Sequence, residues 1–336
     1  MTDEQRAIAI WKLVAQSGQH YPFDYNHQLQ DHVDPIALVS FPYFLCGEKA
    51  GILANLAVLA GLPARNIVLE GHVVAEIKYN GTWHMFDADE NCIFRNNRQQ
   101  IASVEELHAH PDWISETNIE YALKNNFSGF NKYKAYIKNY RSSWADTSFL
   151  ISNYTFPDNT VTLYPKDEVS FQLSSSSAWS GFFGNHLPFS TKGVLKRKLT
   201  AHQKNIRIIN DSTILLNENF PYYIKTLRVS SAQALNTRVY FQYQNRETLK
   251  TQKQYLGDLS QSQTLCKKFN APAGPDIYYR YALVFENLSR ANADKITIEH
   301  EFEFNSITFP LNADGYNVIL TDSSGKKSLL LKISER

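Results

Sequence analysis

The spacing of apolar residues changes along the chain, and the change separates two kinds of structure. Near the start, the apolar residues recur close to the helical period: Ala7, Ile8, Ile10, Trp11, Leu13 and Val14. Thr2 precedes them as a candidate N-cap, with Gln5 as the third residue of the predicted helix. After Asp146, short runs alternate apolar and polar residues between clusters of Asn, Asp, Gly, Ser and Pro, which is typical of antiparallel sheets.

A second helix is predicted at residues 47–60. Small residues recur there at helical spacing, and Gly61 and Pro63 follow as signals that end a helix. A helix face of small residues can approach another surface closely. We therefore expect this helix to pack on a sheet.

A hairpin is predicted directly after this helix. Residues with β-branched or aromatic side chains lie on both sides of Asn80-Gly81, which is the strongest short-range hairpin signal. We predict antiparallel strands at 67–79 and 82–88 joined by this two-residue turn. If the pairing continues regularly, Val74 faces Asp87 and His72 faces Asp89.

The chain has 336 residues, more than a single hydrophobic core usually organises. The fold class that we predict is α+β. An α+β domain is expected at 1–145, and an all-β part made of one or two β-sandwiches is expected at 150–336.

Charge and composition narrow the classes of partner. The formal net charge is +1, so no global field favours nucleic acid or an anionic membrane. The three cysteines are widely spaced, which fits reduced thiols better than a disulfide framework. No signal peptide or stretch of about 18 apolar residues is recognisable, so we expect a soluble, cytoplasmic protein without membrane or nucleic-acid partners.

Cys46, the first of these cysteines, has the setting of a nucleophile. It directly precedes the predicted helix, where the N-terminal end of the helix dipole favours an anion and should lower the pKa of a thiol. In the predicted hairpin, His72 shares one sheet face with Asp87 and Asp89, so either carboxylate can orient its imidazole. If the helix packs on the hairpin, the thiol meets the imidazole and a Cys-His-Asp relay forms.

Three segments, "CGEKAGILANLAVLAGLPAR", "EGHVVAEI" and "GTWHMFDAD", resemble the transglutaminase-like core of the papain-type superfamily. In that family a cysteine opens a helix, a histidine lies on the next strand and an aspartate follows on the strand after it. The resemblance implies a triad of Cys46, His72 and Asp87, with Asp89 as the rival third member. It also implies a second oxyanion donor upstream of the cysteine, for which Asn26, Gln28 and Tyr43 are the candidates.

The function that follows is thiol-dependent acyl transfer on amide bonds of a protein, peptide or glycopeptide. Hydrolysis, as in a cysteine peptidase or amidase, is preferred over transglutamination, and no cofactor is required. The alternative is a non-catalytic module that keeps this core and binds a glycan or a protein through its β-domains. Trp179, Phe182 and Phe183 form an aromatic group suited to sugar rings or to a domain interface.

Simpler interpretations exist for the cysteine, for a possible metal site and for several histidines. A lone cysteine is often an inert buried thiol. A zinc site is disfavoured because no short paired spacing of ligands occurs. His20, His27 and His32 are interpreted as surface residues of polar loops.

Overall fold

The structure is a computed structural model. It describes residues 1–20, 33–35, 37–40, 43–122, 127–148, 150, 168–174, 190–200, 204–219, 223–244, 250–260, 264–269, 280–304, 317–323 and 326–332. Contacts within the chain divide it into two units, Met1–Thr155 and Phe156–Arg336. Helices and several sheets are both present, which agrees with the predicted α+β class at that level.

The helices of the first unit are α1 (Asp3–Ser17), α2 (Ala37–Ser40), α3 (Cys46–Leu59), α4 (Val104–Ala109) and α5 (Phe130–Lys138). Its strands are β1 (Gln19–His20), β2 (Tyr43–Phe44), β3 (Ala64–Leu69), β4 (His72–Tyr79), β5 (Thr82–Phe86), β6 (Cys92–Phe94), β7 (Ile119–Tyr121) and β8 (Ala145–Asp146). Strands β5-β4-β3-β8 form an antiparallel sheet in that order, β1 pairs in parallel with β2, and β6 pairs with β7. Helix α3 packs against β3, β4 and α1.

Both predicted helices are present near their expected bounds. Helix α1 begins after Thr2, and the side chains of Thr2 and Gln5 each bond the other's backbone N–H, at 3.2 and 2.9 Å. Helix α3 begins at Cys46, one residue earlier than predicted. Its small-residue face allows a close approach, because an added Cβ at Gly51 would lie 2.2 Å from the Cγ1 atom of Val33.

The hairpin turn is confirmed, but two strand bounds are corrected. Asn80 and Gly81 both have positive φ, as a type I′ turn requires, and Tyr79 faces Thr82. The segment 67–79 is two strands rather than one, because the chain reverses at Gly71, where φ is +74°. The second strand ends at Phe86, so the expected pairing of Asp87 and Asp89 with β4 does not form.

The described residues of the second unit form antiparallel strands and a 3₁₀ helix (Arg290–Lys295), and no α-helix lies among them. The strands are β9 (Glu168–Ser174), β10 (Ser190–Lys198), β11 (Ile206–Asn210), β12 (Thr213–Asn219), β13 (Tyr223–Ser231), β14 (Arg238–Gln244), β15 (Thr251–Asp258), β16 (Thr264–Lys268), β17 (Arg280–Glu286), β18 (Ile296–Phe304), β19 (Asn317–Ser323) and β20 (Lys326–Lys332). One sheet has the order β16-β13-β18-β10-β9-β20-β19 and the other β11-β12-β17-β14-β15.

Buried polar contacts connect these two sheets. Arg197 on β10 forms an ion pair with Glu218 on β12, with its Nη1 atom 2.6 and 2.7 Å from the two carboxylate oxygens. The Tyr281 hydroxyl on β17 bonds the Nε2 atom of His300 on β18. All four side chains are buried, so polar pairs as well as apolar packing hold the two sheets together. In the parts of the chain that the structure describes, no helix has the length and apolarity to cross a membrane.

The close contact at Gly51 predicts a difference between two glycines of α3. Gly51→Ala should lower the free energy of unfolding by about 1–3 kcal/mol, because the new methyl overlaps Val33 and the neighbouring segment must move. Gly47→Ala is the matched control, since its Cβ meets only Val73 Cγ2 at 3.9 Å and alanine gains up to about 1 kcal/mol in helix propensity. Urea unfolding of both variants tests this. Equal stability of the two variants would contradict the packing at Gly51.

Burial of His300 predicts a loss of stability in acid. Burial, and then the charge of Arg197, lower the pKa of His300 to about 3. The unfolded chain therefore binds more protons than the folded one between about pH 3 and 6.5, so stability should fall as the pH drops through this window, by on the order of 5 kcal/mol at its acid end.

The measurement is the urea midpoint between pH 4 and 7. His300→Gln should remove a large part of this pH dependence, since glutamine keeps an acceptor for Tyr281 but does not titrate. His110→Gln, at an exposed position, is the control. An unchanged slope in His300→Gln would show that His300 does not cause the effect.

Candidate active site

Cys46 is the first residue of α3. Leu45 precedes it with extended backbone, and its N–H donates to the Oε2 atom of Glu48 at 2.7 Å. Leucine has no side-chain acceptor, so only this half of a capping box forms. The thiol is partly exposed. It therefore lies at the positive end of a helix dipole and remains accessible from solvent.

His72, the first residue of β4, is held by a carboxylate. Its Nε2 atom donates to the Oδ2 atom of Asp87 at 2.7 Å, and the exposed fractions of the two residues are 4% and 1%. This bond leaves Nδ1 as the nitrogen that can exchange a proton with the thiol. The Tyr136 ring stacks on the imidazole, with 4.7 Å between ring centroids.

The side-chain carboxylate of Asp87 accepts four hydrogen bonds. Oδ2 also accepts from the Tyr133 hydroxyl at 2.9 Å, and Oδ1 accepts from the backbone N–H groups of Asp89 and Glu90, each at 2.9 Å. The last two bonds turn the chain away from β4 after Phe86. This turn is the physical reason why the regular pairing expected for Asp89 does not form.

The backbone of Asp87 is fixed as well. The indole Nε1 of Trp11 donates to its carbonyl oxygen at 2.8 Å, and its N–H and C=O both bond the backbone of Cys92. Cys92 is fully buried, and burial raises the pKa of its thiol well above the usual range. It therefore has the environment of an inert core thiol, in contrast to Cys46.

The thiol and the imidazole are neighbours. The Cys46 sulfur and a ring nitrogen of His72 lie within 4.8 Å of each other. Burial by itself lowers the pKa of His72. The charge and hydrogen bond of Asp87, the bond with Cys46 and the charge of Asp89 outweigh burial, so the pKa is raised well above its ordinary value.

Asp89 also lies close to this pair. Its carboxylate is also within 4.8 Å of the Cys46 sulfur and of the His72 nitrogen, which makes the three residues a candidate metal-ligand group. Its Oδ2 accepts from the Nδ1 atom of His20 at 2.6 Å, and its Oδ1 is 3.4 Å from the Nζ atom of the fully buried Lys49. Burial would raise its pKa, but the bond from His20 and the charges of Lys49, His20 and His72 lower it.

Glu48 completes the group of charges near the thiol. Burial and, to a lesser extent, the charge of Asp89 raise its pKa to about 7, against the opposing bond from Leu45 and the charge of His20. Glu48 is the third residue of α3, and its side chain accepts from the Leu45 N–H that precedes the helix. Its position agrees with a role in starting α3.

The structure does not place the side chains of the three candidates for the second oxyanion donor. Asn26 and Gln28 lie outside the described residues, as do His27 and His32, and for Tyr43 the description is limited to the backbone of β2. Trp179, Phe182 and Phe183, the aromatic residues considered for glycan contact, also lie outside the described residues.

Several residues of the site were missed by sequence reasoning. His20 was interpreted as a loop residue, but it lies on β1 and bonds Asp89. Tyr133 and Tyr136 follow the triad by more than 40 positions and have no motif of their own, although their spacing on one face of α5 was a helix signal. Lys49 was part of the helix pattern, which does not predict a buried cation.

Comparisons of the chain with protein-family models, with curated proteins and with solved structures gave no match.

The hydrogen bonds of Asp87 predict how its amide would behave. In Asp87→Asn, the amide oxygen can still accept from Asp89 and Glu90, while the NH₂ group then faces His72 Nε2. The imidazole proton should move to Nδ1, so His72 can no longer accept the proton of the Cys46 thiol. We expect iodoacetamide to alkylate Cys46 at least about tenfold more slowly at neutral pH.

Peptide mapping by mass spectrometry in a Cys266→Ser background measures this rate, because Cys266 is exposed whereas Cys92 is buried. Cys46→Ala is the control for labelling at other sites. Equal alkylation rates with and without Asp87→Asn would argue against an imidazole that serves the thiol.

Proposed function

We propose that this protein transfers acyl groups from amide bonds through a Cys46, His72 and Asp87 triad on a transglutaminase-like core. The observation that supports the proposal most directly is the hydrogen bond between His72 Nε2 and a fully satisfied, buried Asp87, next to a partly exposed thiol. The base is thereby fixed in one tautomer and orientation, while the nucleophile stays open to substrate.

In the first step, Cys46 Sγ attacks the carbonyl carbon of an amide while its proton passes to His72 Nδ1. The C–N bond then breaks, and His72 returns the proton to the leaving amine, which gives an acyl-thioester on Cys46. Asp87 does not take up the proton. It stabilises the imidazolium, which the raised pKa of His72 also favours.

The negative charge on the carbonyl oxygen needs hydrogen-bond donors. The backbone N–H of Cys46 is one, because it belongs to the first turn of α3, whose N–H groups have no acceptor within the helix. Asn26, Gln28 and Tyr43 remain the candidates for the other donor.

In the second step, a water molecule attacks the thioester, His72 takes its proton, and the carboxylic acid leaves as Cys46 regains its thiol. A primary amine in place of water gives transamidation. We propose hydrolysis of a protein, peptide or glycopeptide as the main reaction, so that the protein acts as a cysteine peptidase or amidase. The proposed role of the second unit is to hold the substrate.

The proposal predicts a clear order among four variants. Cys46→Ala should abolish acyl transfer, and Asp87→Asn should lower it roughly 10³–10⁴-fold because the wrong His72 tautomer forms. Asp89→Asn should cost less, because Asp89 bonds His20 and not His72. Cys266→Ser, which changes an exposed thiol of β16, should leave the activity unchanged.

The assay is a peptide and glycopeptide library followed by mass spectrometry, with and without a primary amine to distinguish hydrolysis from transamidation. A greater loss in Asp89→Asn than in Asp87→Asn would make Asp89 the third member of the triad. Full activity in Cys46→Ala, or no mass change with any substrate together with an unreactive Cys46, would overturn the proposal and favour the non-catalytic binding module.

A further inference from the structure

We propose that Zn²⁺ binds at the thiol as an exchangeable ligand, held by Cys46 Sγ, His72 Nδ1 and the Asp89 carboxylate. These three residues each offer one ligand atom, and the atoms lie within 4.8 Å of one another. Among the residues that the structure describes, this is the one group of His, Cys, Asp and Glu that meets this condition. The inference does not depend on the proposed enzymatic activity.

The chemistry of the three ligands is that of zinc. Thiolate, imidazole and carboxylate bind Zn²⁺ at about 2.0–2.3 Å, so ligand atoms in a tetrahedral site lie about 3.5 Å apart. Atoms separated by up to 4.8 Å therefore need to approach one another by at most about 1.3 Å. Cys46 is partly exposed, which leaves room for water in the fourth position and a route for the ion.

Hydrogen bonds outside the ligands already orient them. Asp87 accepts the Nε2 proton of His72, so the lone pair of the neutral imidazole is on Nδ1, the nitrogen left for the ion. His20 donates to Asp89 at 2.6 Å and Lys49 lies 3.4 Å from its other oxygen, so the carboxylate is held in place as an anion. Carboxylate and imidazole ligands in zinc sites usually have such partners.

The positive charge of Lys49 opposes the binding of Zn²⁺, but the negative charges around the ion outweigh it. Its ammonium lies near one oxygen of Asp89, whereas Asp87, Asp89 and the Cys46 thiolate supply three negative charges around the ion. Zinc displaces the protons carried by Cys46 Sγ and His72 Nδ1, which are released to solvent as the Zn–S and Zn–N bonds form, and no electron is transferred.

Occupation of this site removes the nucleophile and the base together. The ion engages Cys46 Sγ and the one His72 nitrogen that is not bonded to Asp87, so a protein with zinc bound has no reactive thiol.

The three ligands are far apart along the chain. Their separations are 26 positions (from 46 to 72) and 17 positions (from 72 to 89), which is why no short zinc motif is present. The fold, and not local spacing, brings them together.

The test uses the reduced 336-residue chain and two probes, cobalt chloride and zinc chloride. One equivalent of Co²⁺ should give the near-ultraviolet charge-transfer band of a cobalt thiolate, and Zn²⁺ should displace it. Zn²⁺ should also stop alkylation of Cys46, and a chelator should restore it. Both readouts are independent of any acyl-transfer assay, so failure of the proposed function leaves this test intact.

Variants assign the ligands. Cys46→Ser should abolish the thiolate band, and Asp89→Asn should weaken Zn²⁺ binding by at least about tenfold. Asp87→Asn should weaken it similarly, because the proton moves to the Nδ1 atom that must bind the ion. Cys266→Ser and His110→Gln are the controls and should bind as the wild type does. Circular dichroism verifies that each variant is folded.

Three results would each overturn the inference: no thiolate band in the wild type, a band that persists in Cys46→Ser, or equal zinc affinity in folded Asp89→Asn and the wild type. If Asp87→Asn fails to fold, the Cys46→Ser and Asp89→Asn results decide the question without it.

Discussion

The first unit depends on one buried carboxylate, that of Asp87. An ionised group with an exposed fraction of 1% is costly unless its oxygens are bonded, and here each oxygen accepts two hydrogen bonds. The partners come from β4, from α5 and from the turn after β5, while Trp11 of α1 bonds the backbone carbonyl. The requirement to satisfy this one group thus aligns four elements of the unit, and the same bonds fix the orientation of His72.

A second set of charges lies beside the thiol. Lys49 is fully buried, and Asp89 and Glu48 are nearly so. Burial of unpaired charges is strongly destabilising, and these groups are close enough to His20 and to one another to compensate. Buried charged groups lower the stability of a fold. Ionisable residues with strongly shifted pKa values concentrate at functional sites. Their position next to a partly exposed cysteine is consistent with a site that handles protons or a cation.

The second unit uses buried charge differently. The Arg197–Glu218 pair and the Tyr281–His300 bond connect the two sheets in the interior of this unit. Neither contact involves a cysteine. A buried ion pair of this kind adds little net stability, but the loss of one partner typically costs 3–5 kcal/mol. A packing of the sheets that separated these partners would therefore leave buried polar groups unpaired, which is costly. All described residues of the candidate site belong to the first unit.

The sequence determined the features that depend on neighbours along the chain. The Thr2–Gln5 cap, helix α3 and the Asn80-Gly81 turn were all predictable, because capping and positive φ act over a few residues. The sequence also predicted that His72 and Asp87 lie close together, but the turn after Phe86 brings them together and not the strand pairing that was expected. Only the tertiary structure decided which atoms meet: the bond from His20 to Asp89 joins residues 69 positions apart, and that from Tyr133 to Asp87 joins residues 46 apart. Hydrogen bonds of that range have no local pattern, since they arise only when packing of the apolar core brings distant segments together.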